Sequence, residues 1–268
     1  MRAIRPAAAA NGAAIVSTRS PCEARYVYCI YRSRFSRIFS GPGIGGRDYP
    51  VYAINYGDLA AAVSASPQGR YQSTRRNMTT HMRVQEEVMR DHAILPVQFN
   101  TIAPDIESVI TRLLAPAYQE LNAQLDEIAG GVEIGVKAFW RPNVVFSEIA
   151  AENTDIRLLR DCLAGRDPLE SYSDRVRLGE MVGRALRFKR QRESAEILAR
   201  LRPCAERLRV SEPFSERMAL NAAAFVKSEQ LPDFERRLAA LEEDRRGRMA
   251  FKCVGPAPPY NFVELTLG

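Results

Sequence analysis

Apolar and polar positions first form a strand pattern at Tyr26-Val27-Tyr28-Cys29-Ile30-Tyr31, where aromatic and β-branched residues suit a pleated surface. Strict alternation puts Tyr26 and Tyr28 on one face and Tyr31 on the other. Arg32 to Asp48 is basic and glycine-rich and reads as a loop. Val51 to Ile54 and Leu59 to Ser64 read as two further strands around the turn Asn55-Tyr56-Gly57-Asp58. Met78, Met82, Gln85, Val88 and Met89 then recur at helical spacing and predict a helix over Arg75 to His92. Ala93 to Val97 reads as a strand that Pro96 confines to an edge or an end. Pro104 to Ala129 predicts a second helix, opened by Pro104, broken or kinked at Pro116 and stopped by Gly130-Gly131.

A second unit starts at Val132, whose alternation to Trp140 predicts a strand. Pro142 to Leu201 reads as helix in about three pieces, two of them separated by Gly165-Arg166-Asp167-Pro168. The last piece is expected to begin near Ser173 as N-cap, with Leu178, Met181, Val182, Ala185 and Leu186 on its apolar face. Strands follow at Ala205 to Val210 and Leu220 to Lys227. A charged amphipathic helix then spans Pro232 to Arg246, with Phe234, Leu238 and Leu241 inward, and a closing strand runs over Arg248 to Val254. The order β, long helical stretch, β, β, α, β is the connectivity of a ferredoxin-like sandwich with an enlarged helical crossover. The fold class expected is therefore α+β in two domains, residues 22–130 and 131–254. A leader, 1–21, precedes them, and a proline-rich tail, 255–268, packs across them.

Composition narrows the picture modestly. The chain has 268 residues, 46% apolar and 26% charged, enough for one large core or two ordinary ones. A net charge of +6 favours acidic partners in general, but 32 acidic residues interleave with 38 basic ones, so nucleic acid is not required. Cys22, Cys29, Cys162, Cys204 and Cys253 are odd in number and scattered, which argues for reduced thiols rather than a disulfide framework or a thiolate zinc site. The alanine-rich stretch Ala7 to Ala14 is interrupted by Asn11 and Gly12 and fails as the apolar core of a signal peptide, so the first 21 residues read as a flexible leader. No run of about 18 apolar residues occurs, and no membrane span is expected.

Several segments carry residue types that catalysis or ligand binding could use. Gly41-Pro42-Gly43-Ile44-Gly45-Gly46 fits the letter of a dinucleotide-binding loop, but a strand rather than a helix is expected to follow it. The helix N-terminus that would meet a pyrophosphate is therefore missing. His81 and His92 are eleven residues apart on one expected helix, roughly 16 Å along its axis, too far to share an ion. No serine-hydrolase elbow occurs, and no local signature supports Cys-His catalysis. Arg184, Arg187, Lys189, Arg190 and Arg192 form the strongest basic cluster, flanked by Glu180, Glu193 and Glu196. It reads as a solvated helix face, a protein-docking face or, less readily, a phosphate contact.

Five segments, in order, resemble the gas vesicle GvpL/GvpF family. They are Tyr26 to Ile30, Tyr56 to Ser64, His81 with its helix leading into Ile94 to Phe99, Glu133 to Lys137, and Val254 to Val263. The last is the most specific, a G-P-x-P-P-Y-x-F-V run in which prolines hold a stiff polyproline-II path and Tyr260 and Phe262 supply apolar anchors. The chain departs from the family pattern at Ala257, where tryptophan is usual, and at Gln98 and Asn100, where arginine and glycine are usual. The resemblance implies an accessory or minor structural protein of gas vesicle assembly, with no catalytic, cofactor or metal site. Its implied partners are the hydrophobic gas vesicle shell protein and other gas vesicle accessory proteins, in the cytoplasm and at the vesicle. Candidate partner contacts are Arg187, Arg190, Phe99, Tyr260 and Phe262. The alternative from another class is a basic nucleic-acid-binding or regulatory module on a ferredoxin-like sheet, for which Tyr26, Tyr28 and Tyr31 would have to be exposed for stacking.

Overall fold

The computed structural model describes residues 24–45, 49–67 and 69–265, so the expected leader lies outside the described residues. The fold is mixed α+β with two antiparallel sheets. In the first sheet, strands β1 (Ala24–Arg32), β2 (Ile38–Pro42), β3 (Pro50–Tyr56), β4 (Leu59–Ser66) and β5 (Ile94–Pro96) lie in the order β2-β3-β4-β1-β5. The two-residue β6 (Ile102–Ala103) also pairs with β1. Helix α1 (Arg75–Met89) begins at Thr74, whose hydroxyl accepts from the Asn77 N–H. A short α2 (Ile106–Ser108), capped by Asp105, runs into a π-helical turn over Val109–Leu114. The chain then breaks before α3 (Tyr118–Ile128). The break falls at Pro116, where the ring removes a donor and clashes with the preceding turn.

The second sheet contains β7 (Gly131–Trp140), β8 (Arg207–Val210), β9 (Met218–Lys227) and β10 (Met249–Ala257) in the order β10-β7-β9-β8, every pair antiparallel. Between β7 and β8 lie α4 (Pro142–Glu152), α5 (Thr154–Leu163) and the thirty-residue α6 (Tyr172–Leu201). Helix α7 (Leu231–Asp244) joins β9 to β10 and buries Phe234, Leu238 and Leu241. The helices cover one face of this sheet, packing on Ile134, Val136, Ala138 and Trp140 of β7.

Several expectations are corrected. The segment expected to be a loop from Arg32 contains β2, because Phe39 is buried and Ser40 is anchored by its N–H and hydroxyl to the Glu87 carboxylate, both at 2.8 Å. The buried face of α1 is His81, Val84, Gln85 and Val88, while Met78 and Met82 point to solvent. Helix α6 starts at Tyr172, one residue before the expected cap, so Ser173 lies inside it and Ser171 precedes it. β10 runs to Ala257, three residues into the expected tail.

The tyrosines of β1 carry the most informative correction. The β1–β4 register shifts between Val27 and Cys29, a bulge that inserts one residue and reverses the parity of the strand. Tyr26, Tyr28 and Tyr31 therefore share one core with Cys29 under α1, while Val27 and Ile30 face the opposite core against α3. All three tyrosines are fully buried, so they offer no stacking platform to a nucleic acid.

Candidate functional site

The C-terminal segment crosses both sheets. At Gly255 the backbone has φ +135°, and an added Cβ would lie 2.6 Å from the Glu133 carbonyl oxygen of β7, so only glycine passes here without strain. Beyond β10, Pro258 and Pro259 are buried. The Glu133 carboxylate then accepts from the Asn261 N–H at 2.8 Å and from its amide at 2.6 Å. Arg209 of β8 donates to the Asn261 carbonyl at 2.8 Å, and Gln124 of α3 donates to the Glu264 carbonyl at 2.9 Å. Phe262 is half-buried, 5.6 Å from the Phe225 ring, and the Arg207 guanidinium covers both rings.

Tyr260 reaches the first sheet. Its hydroxyl donates to the Gln85 side-chain oxygen, although 39% of the residue remains exposed. The Gln85 amide nitrogen donates to the Tyr28 carbonyl at 2.7 Å and the Val97 carbonyl at 3.3 Å. His81 joins the network through both ring nitrogens: Nε2 lies 3.1 Å from the Val97 carbonyl and 2.9 Å from the Gln85 amide nitrogen, and Nδ1 lies 3.1 Å from the Tyr26 hydroxyl, which accepts from the Asn100 N–H at 3.0 Å. Burial, offset only partly by the Val97 bond, pushes the His81 imidazole down to about 4, so it is neutral near pH 7. Asn100 stands at φ +73° and its side chain bonds both Tyr71 backbone groups at 2.8 Å.

A second polar cluster pins the helical crossover to β10. Lys189 of α6 is 2.8 Å from Glu152, 3.0 Å from Glu148 and 3.5 Å from Glu193, with only 3% of its side chain exposed. Glu193, equally buried, accepts from the Trp140 indole at 2.6 Å and from Arg248 at 2.9 Å. Arg248 also pairs with Glu148 through two donors, and this bond, with Lys189, holds the Glu148 carboxyl down at about 2. Burial alone would raise Glu193 and lower Lys189, but hydrogen bonds and opposite charges reverse both shifts and keep the pair ionised.

The expected contact residues separate. Arg187 is exposed on α6. Arg190 is half-buried, donating to the Met218 carbonyl at 2.8 Å and the Glu216 carbonyl at 2.9 Å and lying over the Trp140 ring. Phe99 is half-buried and packs edge-on to Tyr26 and His81, and its neighbours Pro96 and Val97 are buried. Arg192 pairs with Glu152 at 3.7 Å rather than Glu196, which is taken by Arg245 at 2.9 Å. Sequence reading missed the exposed apolar side chains of the crossover: Leu158, Leu169, Tyr172 and Phe188 are each more than half exposed. The Gly41–Gly45 segment leads toward strand β3, and its Ile44 N–H is spent on the Tyr28 hydroxyl at 2.8 Å rather than left for a phosphate. Among the described residues no group of three or more His, Cys, Asp or Glu side chains could hold a metal, and no helix is long and apolar enough to cross a membrane.

The polar groups gathered in these sites join strand to helix and tail to sheet. The chain belongs to the gas vesicle synthesis protein GvpL/GvpF family, whose model matches residues 24–264. It is 24% identical to gas vesicle protein F of Dolichospermum flosaquae over 90% of this chain and 97% of that one. It is 28% identical to gas vesicle protein F of a Streptomyces species over 89% and 99%. It is 23% identical to gas vesicle protein L2 of Halobacterium salinarum over 90% and 91%. Its fold is that of crystalline GvpF from Anabaena, with a TM-score of 0.79 at 22% identity over 91% of this chain and 99% of that one. The crystal structure of GvpF from Microcystis aeruginosa matches with a TM-score of 0.75 at 22% identity over 90% and 99%.

Proposed function

We propose that this protein is an accessory or minor structural component of gas vesicle assembly that binds the gas vesicle shell protein and other gas vesicle accessory proteins, in the cytoplasm and at the vesicle. Its role in this reading is to hold apolar shell subunits in an assembly-competent form, covering surface that would otherwise aggregate. The reading needs no cofactor and no catalytic residue. It treats residues 22–130 and 131–254 as two domains, the second a modified ferredoxin-like βαββαβ sandwich. The strand order β10-β7-β9-β8 with α4–α6 and α7 as crossovers supports that assignment. The tail, 255–268, is the strap across them, anchored through Tyr260 and Phe262.

The observation that carries the reading, beside family membership, is the apolar outcrop on the enlarged crossover. Leu169 is 87% exposed and Tyr172 69%, with Phe188 at 68% and Leu158 at 61% on the same crossover. Such residues are stable on a surface when a partner covers them. The test is retention of purified shell protein by the immobilised full chain at low and high salt. Retention at both supports an apolar interface, and loss only at high salt makes the arginines of α6 the main contact. Absence of binding at either salt rejects direct binding of the shell protein.

A further inference from the structure

The helices cover one face of the second sheet, and the opposite face stays open away from the strap. Side chains alternate along β7, so Lys137 and Phe139 stand on the open face while Val136 and Ala138 enter the core. The register brings Lys252 of β10 and Arg209 of β8 to that same face. Phe214, from the turn between β8 and β9, is 66% exposed, and its ring centre lies 6.1 Å from that of Phe139. The Lys137 ammonium lies over the Phe214 ring at 5.4 Å, and that of Lys252 over the Phe139 ring at 5.8 Å. Lys137 and Lys252 are directly opposed across the β7–β10 ladder. Like charges so placed cost stability, and neither lysine has an ion-pair partner among the described residues. The carboxylates of the surrounding elements are committed elsewhere. Glu133, on the same face, is held by Asn261. Glu212 and Glu216, on either side of Phe214, reach Arg190 on the helical side and oppose the lowering that burial imposes on it. Glu242 of α7 acts on Cys253, whose cross-strand partner Val136 faces the core. The open face is therefore positive, with an exposed aromatic ring beside its cations.

We propose that this open face binds single-stranded nucleic acid, with Lys137, Lys252 and Arg209 on its phosphates and Phe214 under a base. A phosphate between the opposed lysines relieves their repulsion. Lys137 covers one side of the Phe214 ring, and a stacked base uses the side left to solvent. From β10 to β8 the face spans three strand spacings, roughly 14 Å. That is the scale on which a four-stranded sheet stacks two or three bases. An acidic peptide would answer the lysines but has no use for the exposed ring, so the pairing of cations with an aromatic face selects a nucleotide strand. The buried tyrosines of β1 play no part in it. The proposal is separate from the assembly role above, since it uses other residues and another partner.

The experiment is fluorescence anisotropy of the full chain, freed of co-purified nucleic acid, with labelled oligouridylate and oligothymidylate of about 12 nucleotides. Binding is expected at low salt. Three phosphate contacts give a slope of about −2 in log affinity against log salt. K137E/K252E should weaken binding by about tenfold or more and flatten that slope. Phe214→Ala should weaken it by about tenfold, and Phe214→Trp should keep it, because an indole stacks as well. Arg177→Glu, exposed on α6 on the covered side of the sheet, should change nothing. Unchanged thermal unfolding of each variant is the folding control. Lys252→Glu alone, at an exposed position, carries the test with a loss of about threefold or more if the double variant unfolds early. The proposal is overturned if neither oligonucleotide binds at low salt, or if binding is indifferent to K137E/K252E or to Phe214→Ala. It is also overturned if polyglutamate of equal charge binds as tightly and ignores Phe214→Ala, a result that would assign the face to an acidic protein partner instead.

Discussion

The Tyr260 hydroxyl donates to the Gln85 side-chain oxygen, a single bond that ties the C-terminal segment to the helix lying under the first sheet. Gln85 can accept there because both hydrogens of its amide nitrogen are aimed at the Tyr28 and Val97 carbonyls. The strap thus closes on a glutamine whose orientation β1 and the residue after β5 have already fixed.

Removing that bond should loosen the strap locally. Tyr260→Phe leaves the Gln85 oxygen without its donor in a largely enclosed site, a loss of about 1–3 kcal/mol. The expected readout is a lower urea midpoint together with faster amide exchange over residues 260–264. An unchanged exchange rate there would show that Phe262 and Asn261 hold the strap without Tyr260.

Glycine at position 255 is required by geometry, so Gly255→Ala should destabilise by more than a surface substitution does. The added Cβ meets the Glu133 carbonyl at 2.6 Å and the backbone sits at φ +135°. A cost of about 1–3 kcal/mol is expected from the strained conformation, measured as the shift in denaturation midpoint. A wild-type midpoint would mean that the strap leaves β7 in solution.

His81 should give the protein a distinctive acid limb. Its folded value is lowered to about 4 from an ordinary 6.5. Between those values the unfolded chain binds the proton and the folded chain does not, so stability rises with pH. The contribution is complete above about 6.5 and is lost as pH falls through 4. Its size is about 3 kcal/mol as an upper figure. Chemical denaturation from pH 7 to 4 should show this slope, and His81→Gln should flatten it. Glu148, held down at about 2, acts lower: its stabilisation is present above the ordinary carboxylate value of 4.5 and is lost as pH falls through 2. The two slopes are therefore separable.

Much of this fold was legible because apolar periodicity and punctuation agreed. Pro116 broke its helix, Gly130-Gly131 ended another, and the crossover divided into three helices around residues 165–168. What escaped reading was set by tertiary pairing. The bulge at Tyr28 exists because β1 is paired with β4, and no local pattern announces which residue will be the extra one. β2 is short and carries Gly41 and Pro42, and becomes a strand because β3 and α1 receive it. Met78 and Met82 fit the helical period as well as His81 and Val84 do. Only the tyrosine core under α1 selects the second pair. Asn100 is a clearer case. The family resemblance puts glycine there, and the backbone at φ +73° is a left-handed conformation that asparagine tolerates best after glycine. Of the candidate contacts, Arg187 and Arg190 share a helix but not an environment, since Arg190 is committed to the turn before β9.

The buried ionic cluster yields the last prediction. Lys189, Glu193, Glu148 and Arg248 form one network in which Glu193 also takes the Trp140 indole hydrogen. Glu193→Ala removes a partner from Lys189, Arg248 and Trp140 at once and leaves their charges and donor under-compensated in a nearly closed site. The expected cost is about 3–5 kcal/mol. Replacing both Lys189 and Glu193 by leucine also removes the lysine, whose desolvation drives much of that loss. The double variant should therefore be less destabilised than the sum of the two single changes. Urea unfolding of the four-member cycle, Glu193→Leu, Lys189→Leu, the double variant and the unaltered chain, measures the coupling directly. A coupling near zero would mean that Glu148 and Glu152 alone neutralise Lys189, and that α6 is held to β10 by apolar packing rather than by charge.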